Sequence, residues 1–334
     1  MRRIRWVLAA LLLLIPAYIA YWINLSHQFR DGLAPWAEAR RAEGYEFAWQ
    51  SVAVEGFPFA LRLHFSGVAL RADHPLPYSA KSPELMVWTA PWRLRLWHFD
   101  APQGIEIASP GAVAEIAIGS LSGAVGTAEP RTLDLAGHAI AGRGTAEGVA
   151  AEQAEMHFTL PPHAPQEHRD PAFAVKASMQ QAHVPLPLPA DARDIASLSL
   201  AATMRGAVPS GPLEQSLAAW RDTGGTLDLD QFHLVWGKVT ADITGTLALD
   251  SAMQPMGAFA TTIEGADRAI DAMAASGAIE PRYTGIAKAI LRAIAGPQED
   301  DKPDAPLKVP LTIQDSRVYL GPAEIVHLPH ITWR

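Results

Sequence analysis

The hydrophobic pattern opens as an unbroken apolar run and then settles into alternation. From Trp6 to Leu25 no residue is charged, and Arg2, Arg3 and Arg5 precede the run. A helix of about 20 residues crosses the roughly 30 Å hydrocarbon core of a bilayer. Trp6 at one end and Tyr18, Tyr21 and Trp22 toward the other suit the two membrane interfaces. Residues 1–25 are therefore expected to be a cytoplasmic stub and an uncleaved transmembrane signal anchor. A cleaved signal peptide is the alternative, but the run is long for one, and Tyr18 stands two places before Ala20, the small residue at which cleavage would fall. The arginines predict a cytoplasmic N-terminus. Residues 26–44 read as a juxtamembrane helix, with Phe29, Leu33, Trp36 and Arg40 at helical spacing, Pro35 as a kink and Gly44 as the end.

From Tyr45 the period becomes two. Leu61, Leu63 and Phe65 alternate with Arg62 and His64 after a turn at Gly56-Phe57-Pro58. At Ser66-Gly67 the apolar phase moves to Val68 and Leu70, which predicts a β-bulge. Leu85 to Thr89 reads as a strand. Trp92, Leu94 and Leu96, alternating with Arg93 and Arg95, read as another. The Gly/Ala-rich stretch from Gly119 to Ala151 reads as strands with small side chains. Phe173 to Met179 and Leu198 to Met204 are further strands, and Pro161 to Pro171 and Val184 to Pro189 are connectors. Pro212 to Asp222 is a short helix stopped by Gly224-Gly225. The clearest alternation then runs from Leu227 to Trp236, through a hairpin turn at Gly237-Lys238, and from Val239 to Asp250, with Gly245 where a curved strand bends. Phe259, Thr261 and Ile263 follow. Asp267–Gly277 and Pro281–Ala295 predict an αα-hairpin within 266–296, and 297–306 an acidic loop. Leu307 to Ile313 alternates around Pro310, which needs an edge strand or an orientation away from its partner.

The expected fold is mainly β: long curved antiparallel sheet or sheets, an αα-hairpin near the C-terminus and one N-terminal transmembrane helix. After the anchor and juxtamembrane helix, the body divides into an N-terminal β-rich region, 45–210, and a C-terminal one, 211–334.

Composition narrows the chemistry. A chain with 49% hydrophobic and 19% charged residues folds rather than remaining disordered. It contains no cysteine, which excludes disulfides, thiolate nucleophiles, Cys-ligated metals and an acylated Cys anchor. There are 27 Lys and Arg against 35 Asp and Glu, so without Arg2, Arg3 and Arg5 the rest carries 24 against 35. No basic stripe for nucleic acid is present. Gly119-Ser-Leu-Ser-Gly123 centres on Leu121 rather than on a serine nucleophile, and Gly142 to Gly148 is too long for a dinucleotide fingerprint. His163 and His168 share a loop with Glu167 and Asp170, without the rigid helical spacing of a metal site. Asp228, Asp230, Asp242 and Asp250 fall on the polar phase of their strands and read as a solvated face. No catalytic, cofactor or metal residue is expected, and a hydrolase is the minor alternative.

Several stretches carry a likeness. Gly56-Phe57-Pro58-Phe59 precedes an alternating strand. Trp220 precedes Gly224-Gly225-Thr-Leu, Trp236-Gly237 and Gly245-Thr-Leu-Ala-Leu-Asp250 follow, and Val318-Tyr-Leu-Gly-Pro322 leads into a Leu-Pro tail. Together these resemble the bacterial family catalogued as domain of unknown function 2125. With the anchor, the chain is also similar in architecture to AsmA-like envelope proteins, which have one inner-membrane helix and a β-rich periplasmic body with grooved sheets. None of these markers is catalytic. The resemblance implies a single-pass inner-membrane protein with a periplasmic body and the bilayer as a partner through its N-terminal helix. The expected function is to bind or shield lipid or another hydrophobic ligand in envelope homeostasis, in a groove lined by Val239, Ile243, Leu247, Phe259 and Ile263. The alternative is a non-enzymatic scaffold that binds an envelope protein.

Overall fold

The computed structural model describes residues 2–72, 77–109, 114–185, 194–209, 211–237, 239–275, 282, 284–295 and 306–333, with side chains of the first helix from Leu14 onward. The chain begins with one continuous helix, α1 (Arg2–Ala42), that passes through both Pro16 and Pro35. The two expected N-terminal segments are thus a single element, with Pro35 inside it and its end just before Gly44, as expected. Gly44, at φ 90°, turns the chain into the sheet. Among the described residues no helix is long and apolar enough to cross a membrane.

The body is one antiparallel meander. Its strands are β1 (Tyr45–Ala48), β2 (Ser51–Glu55), β3 (Leu61–Ala72), β4 (Tyr78–Thr89), β5 (Leu96–Ala101), β6 (Ile105–Ser109), β7 (Ala114–Gly126), β8 (Arg131–Gly144), β9 (Ala150–Leu160), β10 (Pro171–His183) and β11 (Asp194–Arg205). After helix α2 (Leu213–Asp222) come β12 (Thr226–Trp236), β13 (Val239–Leu249) and β14 (Pro255–Glu264). Helices α3 (Ala266–Ala275) and α4 (Thr284–Ala295) precede β15 (Leu307–Gln314), β16 (Arg317–Leu320) and β17 (Ala323–His327). From β7 onward each strand pairs with its neighbour in sequence. At the other end β1 and β2 share one position beside β3, and β5 and β6 share one between β4 and β7. The ladder continues from β11 to β12 across position 210.

A transverse crease explains why those two positions are broken. The apolar phase of β3 does flip at Gly67, as expected. However, the pairing with β4 runs from Leu61↔Thr89 to Ala72↔Tyr78 without a shift, so no residue is inserted and the bulge is corrected to a kink. Gly67 takes φ 59° between the Ser66↔Glu84 and Val68↔Ser82 pairs, opposite Pro83, which has no N–H to give the ladder. The same unpaired step recurs at Gly119 in β7, Ala139 in β8, Glu152 in β9, Gln181 in β10 and Ala196 in β11. Ala139 and Gln181 are left-handed, at φ 53° and 48°. Between β5 and β6 the turn is made around Gly104, at φ 83°.

Side-chain exposure gives the direction of folding. Gly119, Ala139, Glu152, Gln181 and Ala196 are all exposed. The small residues flanking the crease on the other face, Ala72, Ala80, Ala101, Ala151 and Ala182, are buried. The sheet therefore folds toward its apolar face, with exposed residues along the ridge and small ones in the floor. Ser82 is the polar member of that floor. Its Oγ donates toward the carbonyls of Glu84 and Gly104, both at 2.7 Å, which leaves no buried hydroxyl unpaired there.

Two further differences follow from local geometry. Residues 90–95 form turns, with Arg93 N–H bonded to the Ala90 carbonyl and Leu96 N–H to the Arg93 carbonyl, so Trp92 and Leu94 stand in a loop, not in the expected strand. Pro310 lies in an interior strand, opposite Ala260 of β14. Its carbonyl accepts from Gly321 N–H on the β16 side, so its missing donor faces away from β14. At Gly237, φ is 57° and Trp236 pairs with Val239, closing the expected two-residue hairpin. Lys238 lies outside the described residues, as do the connector at 186–193, the joint of the expected αα-hairpin at 276–281 and the acidic loop through 305. Two helices, α3 and α4, lie in that stretch, with an ion pair from Lys288 to Asp271 at 2.7 Å and another from Arg292 to Asp267 between them.

Candidate functional site

The crease makes the apolar face into a trough. Below it, one register row runs Leu63, Val87, Phe99, Gly123, Leu135, Met156, Ala177, Leu200, Phe232 and Ile243 across successive positions. Above it, a second row runs Ile105, Ile118, Ile140, Ala151, Ala182, Ile195, Trp236 and Val239. Neither row contains a charged or hydrogen-bonding side chain except the Trp236 indole. Large and small residues alternate where space demands it. A Cβ on Gly123 would fall 2.5 Å from the Phe99 ring, and one on Gly245 2.5 Å from the Phe259 ring, so both aromatic side chains lie flat across a neighbouring glycine.

Helices cover the ends of the trough. On α1, the Phe29 ring packs 5.1 Å from Trp97 of β5 and Trp36 packs 4.8 Å from Phe47 of β1, with Leu25 and Ala37 buried between. At the other end α3 meets β13 and α4 meets β15, where Ile270, Leu307 and Val309 are buried. Between the caps, Leu121, Leu135, Met156, Leu200 and Phe232 keep intermediate exposure. The six positions from β7 to β12, about 4.8 Å apart, span about 24 Å of this face.

The outer face is polar and paired across the strands. His157 faces Asp134 at 2.5 Å, His183 faces Asp194 at 2.7 Å and His233 faces Asp242 at 2.7 Å. Arg205 pairs with Asp228, and Thr203 Oγ1 donates to Asp230 at 2.8 Å. Asp250 caps its own turn, accepting from Ala252 and Gln254 N–H at 2.8 Å. The aspartates singled out in the sequence are therefore ladder and turn partners, dispersed rather than converging. Asp170 likewise accepts from Glu167 and Gln166 N–H, both at 2.9 Å, and these bonds, Glu167 first, hold its carboxyl below the usual carboxylate range. Among the described residues no group of three His, Asp or Glu could hold a metal ion. Gly119 to Gly123 is an interior piece of β7, and Gly144 and Gly148 serve the β8–β9 turn at φ 65° and 86°.

Val239, Ile243, Leu247, Phe259 and Ile263 share one face of β13 and β14. Ile243 opposes Thr261, Phe259 opposes Gly245 and Ile263 opposes Ala241. That face is continuous with the trough through Phe232↔Ile243. The sequence reading stopped short of the larger part of the lining, from β7 to β11. Its signal was present as repeated phase flips, Ile118 to Leu121, Gly137 to Ile140 and Met179 to Ala182, at similar depth in consecutive strands.

Residues 22–329 match the family described as "Uncharacterized protein conserved in bacteria (DUF2125)", so the chain belongs to that family. No curated protein and no solved structure matches the chain.

Proposed function

We propose that this member of the family is a non-catalytic protein of the bacterial inner membrane whose trough takes up the acyl chains of lipids. In this reading α1 anchors the chain with its N-terminus in the cytoplasm, and the β body lies in the periplasm. The observation that carries it is the open middle of the trough. A packed core would bury Leu135, Met156 and Leu200, yet these keep intermediate exposure between capped ends. A span of about 24 Å exceeds the roughly 15 Å offered by half of a bilayer's hydrocarbon core.

Magnitudes favour long chains. Burial contributes about 0.8 kcal/mol per methylene, so about ten methylenes contribute about 8 kcal/mol. Association costs about 4–15 kcal/mol in lost freedom, so short chains bind weakly and long or paired chains are retained. The test is native mass spectrometry of the full chain after mild detergent extraction. Lipid adducts are expected for the wild type and lost in Met156→Asp and Leu200→Asp. Wild-type protein free of lipid under every mild extraction, with one crosslinked protein partner held through the same face, would replace this reading with the scaffold.

A further inference from the structure

The apolar part of α1 enters the body between two loops. The Tyr18 hydroxyl donates to the Pro58 carbonyl, Tyr21 to that of Pro91 at 2.8 Å, and Trp22 Nε1 to that of Ala60 at 3.1 Å. The Trp22 indole also meets the Phe57 ring edge-on at 5.3 Å. These contacts fix the loops 56–60 and 90–95 on either side of the helix where it leaves the body. Both loops then turn large apolar side chains outward: Phe57 is 50% exposed, Phe59 74%, Trp92 63% and Leu94 36%.

Such exposure has no folding rationale. Phe59 and Trp92 stand in tight loops whose backbone bonds are complete without them, Ala60 N–H to Gly56 and Arg93 N–H to Ala90. The loop holding Trp92 and Leu94 also presents Arg93 and Arg95, both exposed, on an otherwise acidic body. Aromatic rings with cations beside them match the headgroup layer of a phospholipid bilayer, where amphipathic rings and guanidinium–phosphate contacts are both favourable. The exposed Leu14, Ile15 and Ile19 of α1 continue the same apolar surface toward the N-terminus.

We infer that Phe57, Phe59, Trp92 and Leu94 form a collar that seats the β body on the phospholipid surface around α1, with Arg93 and Arg95 on lipid phosphates. This rests on the reading of α1 as the membrane anchor and goes beyond it. The collar fixes the body's orientation, so the edge of the sheet that holds Leu61, Thr89 and Leu96, the end capped by α1, lies nearest the bilayer.

The absence of cysteine makes the test direct. Single cysteines are introduced in the full chain as Phe59→Cys, Trp92→Cys, Leu14→Cys and Glu152→Cys, the last on the exposed ridge of the crease. Each is labelled with an environment-sensitive fluorophore and reconstituted into vesicles of phosphatidylethanolamine and phosphatidylglycerol. Labels at 59 and 92 are expected to shift to the blue and to lose intensity to a nitroxide at headgroup depth. The label at 152 should show neither change. If position 14 responds while 59 and 92 behave like 152, the anchor stands and the collar is wrong. If position 14 is also silent, the anchor reading fails with it. An equal response at 152 would overturn the collar as a defined seat.

Discussion

A matched pair of leucine truncations separates an open trough from a packed core. Leu61 of β3 is 0% exposed, beneath the end of the sheet covered by α1. Leu200 of β11 lies in the middle of the apolar face, between Ala177 and Phe232, with intermediate exposure. Leu→Ala at a fully buried site removes the transfer free energy of the side chain and leaves a cavity, about 3 kcal/mol within a range of about 2–5. If the trough is open as proposed, Leu200 has no enclosing wall to leave a cavity in, and the loss is confined to cross-strand pairs, about 0.2–1 kcal/mol. For a domain of this size each 1 kcal/mol moves the melting temperature by about 2–4 °C. At the central value of about 3 kcal/mol Leu61→Ala should therefore lower Tm by about 6–12 °C, and Leu200→Ala by at most about 4 °C. The assay is thermal unfolding of the full chain, followed by circular dichroism, in one detergent after exhaustive delipidation. Equal large losses at both positions would mean that the middle of the face is packed in the folded chain, and the trough would be refuted. Repeating the melt with lipid added should widen the gap at Leu200, because ligand bound to the folded state raises its stability.

Three further outcomes test the geometry. Along the crease, Gly67→Ala should destabilise by about 1–2 kcal/mol, since a Cβ there both strains the left-handed backbone and meets the Gln50 side chain at 2.5 Å, whereas Gln181→Gly should be neutral or stabilising; denaturant midpoints check the opposite signs. Gly245→Val should cost about 1–3 kcal/mol and shift the Phe259 ring, visible as changed ring resonances, because its Cβ would sit 2.4 Å from the Ala258 carbonyl oxygen. The lowered carboxyl of Asp170 means that its hold on the Gln166 and Glu167 amides is full above the ordinary aspartate value near ~3.9 and is lost as pH falls through the depressed one. Hydrogen exchange at those two amides should report that loss, and Asp170→Asn should abolish its pH dependence.

Alternation along β3, β12, β13 and β14 was legible because each strand buries one face, so the period shows directly which residues point together. The short helix at Trp220 was legible for a similar reason. Its stripe ends at Gly224-Gly225, and the Trp220 indole donates to the Arg205 carbonyl at 2.6 Å. The loop at Trp92 was misread because Trp92, Leu94 and Leu96 imitate strand alternation. Periodicity cannot distinguish apolar residues facing a core from apolar residues facing outward in a turn. The trough between β7 and β11 was hidden by its own composition. On that face Gly123, Gly137, Ala154 and Ala177 are small, a Cβ on Gly123 meeting the Phe99 ring and one on Gly137 the Ile118 side chain, and small residues carry little periodic signal.

The crease also explains why the trough is long. In β3–β4 and from β7 to β10 each strand keeps one register with its next neighbour on both sides of the fold line. If a single strand flipped its side-chain phase there, its apolar residues beyond the line would face away from those of its partners, because a one-residue change of phase exchanges the faces. Flipping is therefore shared between neighbours: once Gly67 turns β3, β4 must turn as well, and the same coupling holds separately from β7 to β11. The series can stop only where the register itself changes. That happens at the broken β5/β6 position, where the pairing with β7 shifts by one residue between Ala101↔Leu121 and Ile105↔Ile118, and again at Ala196, where Ile195 pairs with Trp236 but Ser197 pairs with Val235. Beyond it β12 and β13 run through without the crease, and α3 and α4 take over the covering of the apolar face. The run of turned strands from β7 to β11 is thus bounded by two changes of register, at the broken β5/β6 position and at Ala196, not by any residue inside it.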